Sequence, residues 1–318
     1  MDFVLSEVDR IEVLTLQDNY VDIAAMDSTA MVQRAMPVKD AEVKVSILAE
    51  HGFSALITVT AGESARSVLF DFGFSEQGSA INADALGLDL STVETLVLSH
   101  GHMDHFGGLL PLFERIGKKD IELVLHPSAF RQQRYLNAPD GSKIFLPSLN
   151  REELKTAGIS PVESKAPRSL LDGTLLFLGQ VPKKTDFETG DSRLCYDVQG
   201  ESHQDLIEDD TAVIAHVKGK GLVVLSGCAH AGIVNTVKYA QKATGVDTIY
   251  AVMGGFHLTG AVNEPAIGPT IDALKALNPE FIVPTHCTGR KAAMRIEKEM
   301  PEKFLLNMSG TKMIFAAQ

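Results

Sequence analysis

The stretch VLSHGHMDHFGGL, Val97 to Leu109, sets three histidines and an aspartate within six residues, directly after an apolar run and directly before two glycines. His100, His102, Asp104 and His105 lie where a strand ends and a turn begins, so that backbone geometry can aim several side chains into one hollow. Imidazole and carboxylate together suit a borderline divalent ion such as zinc, and four donors on so short a span can serve two adjacent ions. Gly107 and Gly108 let the chain approach its neighbours without side-chain clash.

Outward from this turn, "STVETLVLSH" reads as a strand entering it and Leu109 to Ile116 as a helix leaving it. The runs "DRIEVLTLQDN" and "EVKVSILAEHGFSALITVTAGESARSVLFDFG" alternate apolar and polar residues between Gly, Asn and Asp, as successive strands and hairpins do. "IELVLHPSAF" returns to a strand ending near His126. From Pro127 to about Gly200 the pattern weakens, and the segment 127–200 is expected to be an irregular insertion or lid. A second series follows. "TAVIAHVKGKGLVVLSGCAHAG" predicts two strands about the turn Lys218 to Gly221, then come a helix from about Val234 to Thr244, the strand "TIYAVMGG", a helix from about Pro265 to Leu277 and the strand "FIVPTHC". Two strand-rich halves, each followed by helices, predict an α/β fold of stacked sheets covered outside by helices, within one domain spanning 1–318.

Composition narrows the function. A content of 45% hydrophobic and 22% charged residues is that of a packed globular chain, which disfavours disorder. The formal net charge of −12, from 41 acidic against 29 basic residues, repels phosphate backbones, and no sustained Lys/Arg block offsets it. A nucleic-acid partner is therefore not expected. Three widely spaced cysteines, Cys195, Cys228 and Cys287, suit a reducing compartment better than a disulfide framework. No apolar run approaches the ~20 residues that span a bilayer, and the N-terminus lacks a basic segment leading into an apolar core. The sequence thus reads as cytoplasmic, without a membrane partner. An assembly of identical chains is compatible with it.

Three later histidines also stand at strand ends: His230 after "GLVVLSGCA", His257 after "YAVMGGF" and His286 after "FIVPT". Such ends are where parallel and mixed sheets place their sites. Cys228 is either a thiolate ligand or a small core residue, and Cys287 beside His286 is open in the same way. His51, His203 and His216 lack this context and are read as structural or surface residues.

"LSHGHMDHFGGL" matches the HxHxDH signature of the metallo-β-lactamase superfamily, and "LFDFG" resembles that superfamily's strand ending in Asp-x-Gly. With "LAEHGFSALI", "SGCAHAGIVNTV", "GGFHL" and "PTHCTG", the chain resembles, from about Asp18 to Gly289, the branch of 7,8-dihydropterin-6-yl-methyl-4-(β-D-ribofuranosyl)aminobenzene 5′-phosphate synthases and related metal-dependent hydrolases. The resemblance implies a four-layer αββα sandwich, with Asp71 supporting the histidine loop. It implies one or two divalent ions, zinc first and manganese or iron as alternatives, held by His100, His102, Asp104, His105, His230 and His286.

Two departures stand out. Cys228 occupies the place of an aspartate that usually bridges two metals. The usual third histidine of the first metal has no counterpart in "QDLIEDDTAV", so that His230, or with less support Asp209 or Asp210, supplies it. Asp104 and His257 are the expected catalytic groups, His257 as ligand, proton donor or anion contact. Where the branch carries Pro-Arg, this chain has "VPKKTDFE", in which Lys183 keeps the charge for an anionic substrate but loses bidentate recognition; Lys184 and Arg193 are further candidates.

The expected function is that of a metal-dependent enzyme acting on a small anionic, phosphorylated or pterin-like substrate, through metal-activated water or metal-assisted displacement of diphosphate. The alternatives are a lactone or phosphoester hydrolase of another pathway and a non-catalytic metal-containing binding protein. A flavodiiron reductase would carry glutamate at His102 and a flavodoxin-like domain, and a nuclease a basic insert; neither feature is present.

Overall fold

Two twisted sheets lie face to face because their strands are apolar on both sides. In this computed structural model, which describes residues 3–36, 38–39, 41–43 and 46–317, the first sheet has eight strands. Its centre is built from Ile121–Leu125, Val93–Val97, Ser64–Phe72, Ser54–Ala61 and Arg10–Gln17, in that spatial order. The second has seven, and its ordered path ends in Ala212–Val217, Gly221–Ser226, Ile249–Gly255 and Phe281–Thr285. Lys44 and Val45, in the run expected to start the early strands, lie outside the described residues.

Alternation of side chains explains the layering. Val223 and Leu225 enter the core between the sheets, where they join Val68, Phe70, Val97, Val124, Met253 and Val283. Their neighbours Leu222 and Val224 face outward onto the helices Ile233–Thr244, Ile267–Leu277 and Arg290–Glu299. On the other flank Leu69, Leu96 and Leu123 meet the helices Gly78–Ala85, Leu109–Ile116 and Arg151–Ala157. The result is the αββα sandwich. Leu109–Ile116 buries Leu109, Leu112, Phe113 and Ile116, one stripe at helical spacing, and ends on Gly117 in the left-handed region at φ 68°. Burying each such side chain contributes about 1.5–3 kcal/mol.

The parallel pairings set the functional edge. Ser64–Phe72, Val93–Val97 and Ile121–Leu125 run parallel in the first sheet, and Gly221–Ser226, Ile249–Gly255 and Phe281–Thr285 in the second. Their carboxyl ends carry the turns in which the histidine cluster, His230, His257 and His286 sit.

The stretch 127–200 is not one irregular insertion. Ile159–Glu163 extends the first sheet parallel to Ile121–Leu125, and Leu175–Phe177 pairs with Ala212–Val217 in the second. The rest supplies most of a separate four-stranded sheet of Arg134–Asn137, Lys143–Phe145, Leu194–Val198 and Glu201–Gln204. Strands of three to five residues, several on edges, are too short to show a period in sequence. Among the described residues no helix is long and apolar enough to cross a membrane.

Gly107 donates to the Gly73 carbonyl, and a Cβ on it would run into the Phe74 carbonyl oxygen. Backbone cannot rotate aside as a side chain can. Gly107→Ala is therefore expected to destabilise the chain by about 1–3 kcal/mol, read as a lower urea midpoint at unchanged slope; an unaltered midpoint would contradict this packing.

Candidate metal centre

The turn after Val97 is anchored before it bears any ligand. The buried Asp71 carboxylate accepts from Ser99 N (2.7 Å) and Ser99 Oγ (2.7 Å), and its Oδ2 lies 2.6 Å from His105 Nδ1. Asp71 itself has φ 54°, a conformation costly for a residue with a Cβ and kept where surrounding bonds impose it. On the far side of the turn Gly101 N donates to Asp209 Oδ2 (2.7 Å), and Asp209 is paired with the buried Arg134 (2.5 Å). Asp209, an alternative ligand from sequence, is thus committed to Arg134 and the Gly101 amide. Asp210, the other alternative, accepts from Ala231 N (2.9 Å) and so fixes the His230 loop; burial pushes its pKa up to about 7.

Two donor sets converge between the sheet edges. In the first, His100 Nε2 faces both His102 Nδ1 (3.0 Å) and His230 Nε2 (3.2 Å). Burial, with the neighbouring imidazoles, holds His100 and His230 well below the usual histidine range; burial and Arg134 lower His102 to about 4. His100 Nε2 thus has a ring nitrogen on either side, and His100, His230 and Cys228 keep their donor atoms within 4.8 Å of one another, so that a cation accepting lone pairs satisfies them better than a shared proton. In the second set, Asp104 Oδ2 lies 3.1 Å from His286 Nε2 and 3.7 Å from His105 Nε2. Burial opposes charge on Asp104, but His105 and His286 outweigh it and hold the carboxyl below its ordinary range. His105 is likewise raised to about 9, against burial, by Asp71 and Asp104.

Cys228 stands between the sets, its Sγ 3.1 Å from His105 Nε2 and within 4.8 Å of donor atoms in each. The residues therefore fit one or two divalent ions, with Cys228 where a shared ligand belongs. His100, His102, Asp104, His105, His230 and His286 all reach this centre. His257 stands at its border, its ring centroid 4.1 Å from that of His230.

Lys183 lines a cleft with His230 and Asp205; it is half-buried, and among the described residues no carboxylate lies within ion-pair distance of it. Burial pulls its pKa down against the nearby Asp210, Asp205 and Glu188. Arg193, by contrast, is engaged by Asp191 (2.5 Å).

Sequence reasoning missed several participants. His51, read as structural or surface, has Nε2 3.5 Å from Asp104 Oδ2 and its ring 4.7 Å from that of His286. Asp18 accepts from His286 N (2.8 Å), and Asn19 Oδ1 lies 3.1 Å from His286 Nδ1. "LQDN" was legible only as a strand end, because its partners lie more than 260 residues away.

The chain belongs to the metallo-β-lactamase superfamily, whose sequence profile matches residues 50–286. From Methanocaldococcus jannaschii, the 7,8-dihydropterin-6-methyl-4-(β-D-ribofuranosyl)-aminobenzene-5′-phosphate synthase is 34% identical over 261 residues, 80% of this chain and 86% of that protein. An uncharacterised protein of the same organism is 32% identical over 259 residues, 79% and 88% of the two chains. The crystal structure of a metal-dependent hydrolase of the β-lactamase superfamily superposes with TM-score 0.73 at 24% identity, covering 96% of this chain and 100% of that one, a likeness of fold. Members of this superfamily usually bind divalent metals, and a relative named as a synthase supports an enzymatic activity.

Removing the charge that orients His105 should weaken ion binding without deleting a ligand. Asp71→Asn is expected to lower affinity for Zn²⁺ by about 10–100-fold in chelator competition, with circular dichroism verifying the fold; affinity equal to the parent chain's would refute the orienting role.

Proposed function

We propose that this chain is a metal-dependent enzyme acting on a small anionic substrate, phosphorylated or pterin-like. The observation that carries the reading is the junction of the two donor sets with a cavity and with a cation, Lys183, that has no ion pair among the described residues. The cavity, of about 230 Å³, is lined by His230 and His257 together with Phe187, Phe256, Asn263 and Thr270. Lys183 flanks His230 from the adjoining cleft.

Divalent ions held by these donors would supply Lewis acidity toward a phosphoryl or carbonyl oxygen and would allow water to act as a nucleophile at neutral pH. The chain's own groups do the rest. Asp104, its carboxyl held below the ordinary range, would bind an ion or orient the attacking water, and it keeps His286 and His105 oriented. Lys183 attracts the substrate's anionic end, with a charge made more effective by the low dielectric of its surroundings. Phe187 and Phe256 offer apolar walls to the substrate's body, while Asn263 and Thr270 offer hydrogen bonds. His257, between the cavity and the donors, meets the anion at the point where charge changes during reaction. The same arrangement serves hydrolysis or departure of a diphosphate. The relative's name, a dihydropterin-linked synthase, supports the second. No nucleic-acid or membrane partner is part of this reading, and the acidic charge balance supports that.

Turnover of a dihydropterin diphosphate, a phosphomonoester, a phosphodiester and a lactone by protein of measured metal content tests it. Reaction with the first is the expected result, whereas reaction with the lactone alone would replace the substrate class. Asp104→Asn is expected to lower kcat by roughly 10²-fold or more, and near-parental rates at saturating metal would contradict its assignment. Lys183→Ala should raise KM for a phosphorylated substrate at unchanged metal content, because a charge contact remote from the bond being broken contributes to binding more than to chemistry. An unaltered KM, or lost metal, would remove Lys183 from the substrate site.

A further inference from the structure

Cys287 is the one sulfur near the centre that the two donor sets leave without a task. It is 4% exposed, not disulfide-bonded, and directed toward the Cys228 carbonyl at 3.6 Å. Its Sγ, the Cys228 Sγ and a ring nitrogen of His257 all lie within 4.8 Å of one another. His257 Nδ1 is buried and has no hydrogen-bond partner among the described residues. The backbone is shaped to bring these three together. His257 is held at φ 47° and His286, just before Cys287, at φ 43°, both left-handed conformations unusual for side-chain-bearing residues. A Cβ on Gly255 would press on the Cys287 sulfur.

We propose that Cys228, His257 and Cys287 form a third donor set, a thiolate-rich site for a thiophilic divalent ion, adjoining the histidine–carboxylate sets and sharing Cys228 with them. Two soft thiolates and a borderline imidazole suit zinc or cadmium and are poorly suited to magnesium or manganese. Each thiol would give its proton to solvent as the ion binds, so that the charge of the ion is balanced by two thiolates, both of them buried. The site does not depend on the proposed substrate class, and its test reads ion uptake rather than turnover.

Cadmium added to metal-stripped, full-length protein is the probe, followed by thiolate-to-metal charge-transfer absorption and by bound equivalents after gel filtration. The expected result is that Cys287→Ser binds one equivalent fewer than the parent and loses that ion's absorption, keeping only what Cys228 gives with ions of the other sets. His257→Gln should keep both thiolates but bind that equivalent at least tenfold more weakly. The same stoichiometry and absorption in Cys287→Ser as in the parent would overturn the proposal. Should circular dichroism show Cys287→Ser unfolded, an unchanged cadmium affinity in His257→Gln overturns it instead.

Discussion

The Asp71 carboxylate is the contact on which the centre hangs. Fully buried, it is satisfied by the Ser99 amide, the Ser99 hydroxyl and the His105 ring, three groups that belong to the turn after the neighbouring strand. A buried charge with fewer partners would cost several kcal/mol, so its geometry fixes the turn as firmly as the turn fixes it. The second sheet closes on the same point. Gly227 passes so near Ser99 and Asp71 that a Cβ there would overlap both, and the next residue is Cys228. The sulfur between the donor sets is thus placed by the contact that orients His105.

Around this anchor the charges fall into two tiers. Imidazoles that face one another are kept neutral by burial, leaving lone pairs directed inward. Carboxylates stand behind them: Asp209, paired with Arg134, beneath Gly101, and Asp18, which accepts from the His286 amide. The separate four-stranded sheet contributes here, since Arg134 begins its strand Arg134–Asn137 and also bonds Asp205 (2.7 Å). It acts as a buttress for the histidine turn from the side opposite Asp71.

Local chemistry was written plainly in the sequence. The strand Val93–Val97, the ligand turn and the helix Leu109–Ile116 were each readable, because each depends on residues within one or two turns of chain: an apolar run, clustered donors, paired glycines, a stripe at helical spacing. His230 could be put forward as the replacement for a missing histidine from its place at a strand end; its Nε2 lies 3.2 Å from His100 Nε2. The segment 127–200 could not, since its strands are short and their partners distant.

The sequence by itself determined the αββα class and singled out most of the candidate donors, because periodicity and residue chemistry are properties of neighbours along the chain. Only the tertiary structure decided how those donors divide. It set His100, His102 and His230 apart from Asp104, His105 and His286, drew His51 toward Asp104, turned Asp209 from candidate ligand to partner of Arg134, and left Cys287 facing Cys228 and His257. The physical reason is that each of these outcomes is a contact across the gap between two sheets, fixed by which strand ends the packed core brings level with one another.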